Sequence, residues 1–220
     1  MGLKGKKVKP YKAYRKFNQV LTLNKALKKD GRCLEPSDID LIEQGSVVFS
    51  PSEILWVGPD SEFPSEYEES SEHHYFEGKV LTPEIVDCHT HLVFGGNRAQ
   101  EYSMRLNGAD YQEIAKAGGG ILNTMKGTQN LSPDELFNIG VKRIERINSY
   151  GVGTIEIKSG YGLTFEKEME ITKVIDKLKK HFAPKVQIIN TFMAAHAVPK
   201  QFESSKAYMD QVVLPLFEEL

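Results

Sequence analysis

Two histidines one residue apart, His89 and His91, sit in the stretch DCHTHLVFGGNR at residues 87–98. The surrounding run, KVLTPEIVDCHTHLVF, is rich in Val, Ile, Leu and Phe and stops at a Gly-Gly pair. That composition predicts a β-strand, roughly Ile85–Phe94, closed by a turn. Side chains alternate along a strand, so His89 and His91 project from one face about 6–7 Å apart, with Asp87 beneath them. Two imidazoles so placed can converge on a single metal ion. The competing reading is a pair of core or loop histidines, and a shared face on one apolar strand weighs against it. Cys88 falls on the opposite face and is not expected to be a ligand.

Two further segments carry polar groups at the ends of apolar runs. GTIEIKS, at 153–159, leads through Lys158 into SGYG, which sets Tyr161 between two glycines. KVQIINTFMAAH, at 185–196, ends on His196. In parallel α/β domains the active residues gather at the carboxyl ends of the strands. His89, His91, Arg98, Tyr161 and His196 are therefore expected on one rim. The chemistry such a rim supports is metal-assisted hydrolysis, in which the ion lowers the pKa of a water. Arg98 supplies a planar fork for a substrate carboxylate. Tyr161 and His196 supply hydrogen bonds to a polar ring or carbonyl. Two histidines do not complete a metal site, so other ligands must come from elsewhere.

The elements that hold this rim are legible as an alternation of strands and helices beginning at Gly78. LSPDELF opens a helix: Ser132 caps, Pro133 takes the first position and Glu135 stands three after the cap. Leu136, Ile139, Ile144 and Ile147 follow as its apolar face, and Gly151 ends it. A further helix is predicted from about Phe165 to Phe182, from Ile171, Ile175, Leu178 and Phe182. AKAGGGILNTM, at 115–125, reads as a flexible segment, and a last helical stretch begins near Ser205 and meets Pro215. Ahead of Gly78, short β-type runs at FNQVLTL, IDLIEQGSVVFS and EILWVG predict a meander or small sandwich. The basic opening LKGKKVKPYKAYRK reads as a disordered arm. The acidic DSEFPSEYEESSE at 60–72 reads as an exposed loop without a site.

Composition closes off several function classes. A net charge of −2 argues against a global nucleic-acid role. No apolar run reaches the length of a membrane span, and the first residues lack a secretory pattern, so a cytoplasmic protein is expected. Cys33 and Cys88 are the two cysteines, too few and too far apart for a disulfide framework or a zinc knuckle.

PEIVDCHTHLVFGGNRAQEY, IAKAGGGILNTM, TIEIKSGYGL and TFMAAHAVP together resemble the imidazolonepropionases, amidohydrolase-superfamily enzymes of histidine degradation. The resemblance runs from about residue 17 onward. It implies a (β/α)8 barrel joined to a small β-sandwich, a bound zinc or iron, and hydrolytic opening of 4-imidazolone-5-propanoate to N-formimidoyl-L-glutamate. His89 and His91 correspond to the first two metal ligands, and Arg98, Tyr161 and His196 to substrate-binding residues; no catalytic acid or base is assigned. The implied division is an arm at 1–16, a sandwich segment at 17–79, and three βα units at 80–220. Three strands do not close a barrel. The chain therefore reads as the front half of such an enzyme, needing the rest of the barrel for activity, with a small-molecule substrate and a second copy or second polypeptide as partner. Two alternatives stand beside it: another amidohydrolase acting on a cyclic amide or as a deaminase, and a non-catalytic fragment or partner chain of a split enzyme.

Overall fold

The structure, a computed structural model, describes residues 9–110, 113 and 119–220. The chain divides into two compact units, Met1–Pro83 and Glu84–Leu220.

The first unit is a mixed sheet. Strand β1 (Tyr11–Leu21) is followed by a short helix α1 (Asn24–Lys28), then β2 (Leu41–Phe49), β3 (Ile54–Pro59), β4 (Ser71–Tyr75) and β5 (Val80–Leu81). The sheet order is β3-β2-β1-β4, with β5 also pairing to β1. β1 runs antiparallel to β2 and parallel to both β4 and β5. Its core gathers Phe17, Val20 and Val47, with Phe76 stacked on Phe17 at 4.9 Å.

Two expectations for this unit need correction. Residues 11–16, read as part of a disordered arm, form the first half of β1; residues 1–8 lie outside the described residues. The strand forms there because Ala13 and Phe17 are buried while Lys12, Arg15 and Lys16 are less so, with a register shift between Tyr14 and Phe17. The acidic stretch is no plain loop either. Asp60 accepts from Arg15 Nε at 2.7 Å and from Ser46 Oγ at 2.6 Å, Glu68 accepts from Arg15 Nη1, and residues 71–72 begin β4. The acids there neutralise a half-buried arginine on the neighbouring strand.

The second unit is α/β. β6 (Ile85–Thr90) leads to α2 (Ala99–Leu106), α3 (Ile121–Gln129) and α4 (Pro133–Asn148), then β7 (Val152–Lys158), α5 (Phe165–Phe182) and β8 (Gln187–Thr191). The three strands make one parallel sheet in the order β6-β7-β8. Ser132 and Glu135 form the capping box at the start of α4, and Thr164 caps α5. The apolar stripes of both helices enter one core with the sheet. Leu136 and Ile144 of α4 meet Ile171, Ile175 and Leu178 of α5 and Ile155, Ile157 and Ile188 of the strands. Each of these side chains stabilises the unit by roughly 1.5–3 kcal/mol through burial.

The strands are shorter than predicted. β6 stops at Thr90, so His91 lies just past it, and β8 stops at Thr191, five residues before His196. The segment 115–125, expected to be flexible, contains the start of α3 at Ile121; residues 115–118 lie outside the described residues. Beyond β8, α6 (Ser205–Tyr208) passes through a π-helical turn, Met209–Val213, into α7 (Leu214–Glu219). Pro215 has no N–H and its ring crowds the preceding turn, and the wider turn before it relieves that crowding. Among the described residues no helix is long and apolar enough to cross a membrane.

Candidate active site

At the carboxyl end of β6 the register shifts between Asp87 and Thr90, and Thr90 Oγ1 donates to the Glu156 carbonyl at 2.6 Å. The end of β6 is thereby pinned to β7, with His89 exposed and His91 half-buried. Their ring centroids are 6.0 Å apart. His91 also lies 4.8 Å from the Tyr161 ring and 4.7 Å from the His196 ring, and Tyr161 and His196 are 5.7 Å apart. The rim expected from the sequence thus brings four rings into one cluster, with His91 at its centre.

Two devices place Tyr161 and His196. The turn carrying Tyr161 is wrapped around a carboxylate: Glu168 accepts from the backbone N–H of Gly160 at 2.9 Å, Gly162 at 2.6 Å and Leu163 at 3.0 Å. Glu168 is fully buried. Gly160 has φ +117, and a Cβ there would meet the Met193 carbonyl at 2.6 Å and His196 Cβ at 2.8 Å. Only a glycine allows the Tyr161 turn to approach the His196 segment this closely. That segment is a 3-10 turn, Ala194–His196. Ser159 N donates to the Thr191 carbonyl and Met193 N donates to Ser159 Oγ at 3.0 Å. Tyr208 Oη anchors the same turn by donating to the Ala194 carbonyl at 2.8 Å, and burial pushes its hydroxyl up to about 12.

Burial lowers the His91 imidazole to about 4, reinforced by the charges of His196, His89 and Lys158. The ring is therefore neutral near pH 7, the state in which an imidazole ligates a metal. Its Nδ1 is buried and has no hydrogen-bond partner among the described residues. A buried nitrogen left open in this way fits a metal better than a structural histidine, whose ring nitrogens are normally satisfied. Burial also raises Tyr161, against the opposing charge of Arg98. Among the described residues no group of three His, Cys, Asp or Glu is gathered to hold a metal. His89 and His91 are two such ligands at most.

Arg98 is placed differently from the rings. It precedes α2, its side chain is 47% exposed, and its Nε donates to Glu101 Oε2 at 2.7 Å. Asn97 serves the turn, with Oδ1 accepting from Ala99 N at 3.1 Å. Two groups near the rim went unassigned in the sequence. Glu168 carried only the weak signal of an acid in the first turns of a helix. Glu156 and Lys158 form an ion pair on the face of β7 opposite Ile155 and Ile157. Thr191 also donates to Glu156 Oε1, while Oε2 is buried without a partner among the described residues. The ammonium of Lys158 and the hydroxyl of Thr191 hold the Glu156 carboxyl below its usual range.

Fold and site together define the class: a parallel α/β unit with its polar cluster at the carboxyl ends of successive strands, where enzymes of this architecture keep their active residues. Sequence comparison gives the particular affinity. The chain is imidazolonepropionase-like: it is 40% identical over 195 residues to the imidazolonepropionase of Bdellovibrio bacteriovorus, covering 88% of this chain and 45% of that protein. It is 42% identical over 202 residues to that of Agrobacterium fabrum, covering 91% and 46%. The chain spans a little under half the length of these relatives. No protein-family model matches it. Among solved structures, E. coli guanine deaminase aligns at 13% identity and a TM-score of 0.47, covering 86% of this chain and 38% of that one.

Proposed function

We propose that the chain supplies one part of an imidazolonepropionase, which opens the ring of 4-imidazolone-5-propanoate by hydrolysis to N-formimidoyl-L-glutamate. The observation that carries this is the convergence of His91, Tyr161 and His196 on the segments that follow three parallel strands, in a chain similar to imidazolonepropionases over most of its length. In this reading β6–β8 are the first three strands of a (β/α)8 barrel and residues 17–79 belong to a β-sandwich. The enzyme is cytoplasmic, and the remaining strands of the barrel come from outside the described residues.

His89 and His91 would hold a zinc or iron ion, which when bound polarises the ring carbonyl and activates water. The remaining ligands come from outside the described residues. Arg98 grips the propanoate tail and orients the ring. Tyr161 donates a hydrogen bond to a ring heteroatom, and His196, beside it, accepts or donates on the same edge. Water adds to the carbonyl carbon, the bond from that carbon to the ring nitrogen breaks, and the nitrogen takes a proton. The carbonyl carbon stays bonded to the carbon that bears the propanoate and becomes the second carboxylate of the product, while the freed nitrogen becomes the terminal nitrogen of the formimidoyl group, so substrate and one water account for every atom.

The test is to express the chain together with the rest of the Bdellovibrio bacteriovorus relative. Loss of imidazolonepropanoate absorbance and metal content are then followed with and without zinc. Turnover that disappears in His89→Ala and His91→Ala, with loss of metal, supports the reading. Zinc uptake with turnover of a different cyclic amide assigns another amidohydrolase activity. Neither uptake nor turnover assigns a non-catalytic chain.

A further inference from the structure

We propose that Glu101 is the positioning residue that turns Arg98 into a fixed, one-sided anchor for a carboxylate, and so sets the preference of this site for a substrate with a single anionic tail. This rests on the reading of Arg98 given above.

Arg98 and Glu101 are three residues apart at the start of α2, and they meet only through Nε, at 2.7 Å. Neither terminal nitrogen of the guanidinium has a hydrogen-bond partner among the described residues. Glu101 is far less exposed than the arginine it holds, at 10% against 47% for the side chains. It is itself held from a second element. Its Oε2 also accepts from Gly120 N at 3.0 Å, and its Oε1 accepts from Asn123 Nδ2 at 3.2 Å. The carboxylate therefore joins the start of α2 to the first turn of α3, with three donors on its two oxygens. That is more than a surface ion pair, which is mobile and worth little.

The arrangement has a directional consequence. A guanidinium fixed through Nε keeps its plane, and the paired edge formed by its two terminal nitrogens stays free. That edge matches a carboxylate in two parallel hydrogen bonds. An exposed arginine without this tie loses rotamer freedom on binding, a cost that prior fixing removes. Glu101 offsets part of the Arg98 charge, so the preference for a carboxylate rests on the fixed geometry of the free edge and not on excess positive charge. The sequence contains the device as NRAQE, with the fork at one end and its holder at the other.

The test uses the chain together with the rest of the Bdellovibrio bacteriovorus relative, as in the test above, and two probes, 3-(imidazol-4-yl)propanoate and its primary amide, which set a carboxylate against a neutral group of like size. Affinities are measured by titration calorimetry for the wild type, Glu101→Gln, Glu101→Ala and Arg98→Ala. The wild type is expected to favour the propanoate by about ten-fold, the scale of one charge-assisted contact. Glu101→Gln and Glu101→Ala should each remove most of that preference while leaving affinity for the amide unchanged. Exchange of the Arg98 Nε proton, followed by nitrogen NMR, should accelerate in both. If Arg98→Ala abolishes the preference but neither Glu101 variant alters it, the positioning role is overturned and the anchor survives. An equal loss for both probes in the Glu101 variants makes Glu101 merely structural and overturns the proposal. If Arg98→Ala keeps the preference, or the wild type shows none, the anchor itself falls and the role of Glu101 with it. Glu101→Gln preserves volume and one acceptor, so the comparison stands where Glu101→Ala fails to fold.

Discussion

Gly95 and Gly127 meet backbone to backbone: a Cβ on Gly95 would lie 2.3 Å from the carbonyl oxygen of Gly127, and one on Gly127 would lie 2.9 Å from that of Gly95. Gly95 N also donates to Thr128 Oγ1 at 3.0 Å. The loop leaving the histidine strand is thus seated directly on α3. Gly95→Ala should force the two backbones apart and destabilise the chain by about 1–3 kcal/mol, as overpacking does. Urea unfolding measures this; an unchanged midpoint would show that the loop and helix separate freely.

What the sequence made legible follows from locality. α5 was readable because its apolar stripe, Ile171, Ile175, Leu178 and Phe182, lies within one segment, though its Thr164 cap was not read, and the Ser132–Glu135 box marks α4 equally well. β7 showed its alternation plainly. The first half of β1 did not, because lysines and an arginine occupy its less buried positions and Lys16, at φ 59, breaks the period of two. His89, His91, Tyr161 and His196 could be placed on one rim from strand order alone, and they do cluster. Their supports could not. Glu168 and Tyr208 act through contacts 5 to 14 residues away that leave no periodic trace. His196 was placed at a strand end, whereas a 3-10 turn after the strand carries it.

Glu168 offers the sharpest test of those supports. Three backbone N–H groups converge on its carboxylate, and removing it leaves them buried without partners. Glu168→Ala should cost about 3 kcal/mol or more, since each stranded donor carries a desolvation penalty of roughly 1–3 kcal/mol. The Tyr161 turn should lose its hydrogen-exchange protection at Gly160, Gly162 and Leu163 before the rest of the unit does. Uniform loss of protection across the unit would show that Glu168 is a general core group and not the holder of this turn.

The acid side of the stability curve should report Glu101. Burial works against its ionisation, but the hydrogen bonds from Arg98, Gly120 and Asn123 outweigh it and hold the carboxyl below the usual 4.5. A folded-state pKa below the unfolded one adds stability that is present in full above the unfolded value and is lost as pH falls through the folded value. The wild type should therefore exceed Glu101→Gln in stability at pH 7, and the gap should narrow on going from pH 5 to pH 3. Chemical unfolding at a series of pH values measures it. A gap that is constant with pH would mean the carboxyl titrates alike in both states.

Arg143 holds the same loop from the other side. Its Nη1 donates to the carbonyls of Leu92 at 2.8 Å and Phe94 at 2.7 Å, and its guanidinium lies over the Phe94 ring at 3.6 Å. Among the described residues no carboxylate pairs with it, so its charge is met by backbone dipoles and an aromatic face, and burial lowers its pKa. One nitrogen meets both carbonyls, but lysine has no planar guanidinium to lie over the Phe94 ring at the same time, so it is no full substitute here. Arg143→Lys and Arg143→Met should each cost about 1–3 kcal/mol, the value of charge-assisted hydrogen bonds and a desolvated cation–π contact. Because this loop leads from His91 to Arg98, both variants should also weaken propanoate binding more than Arg146→Met, whose charge lies one turn further along the same helix. Equal effects at the two positions would show that Arg143 contributes charge to the helix and no shape to the loop.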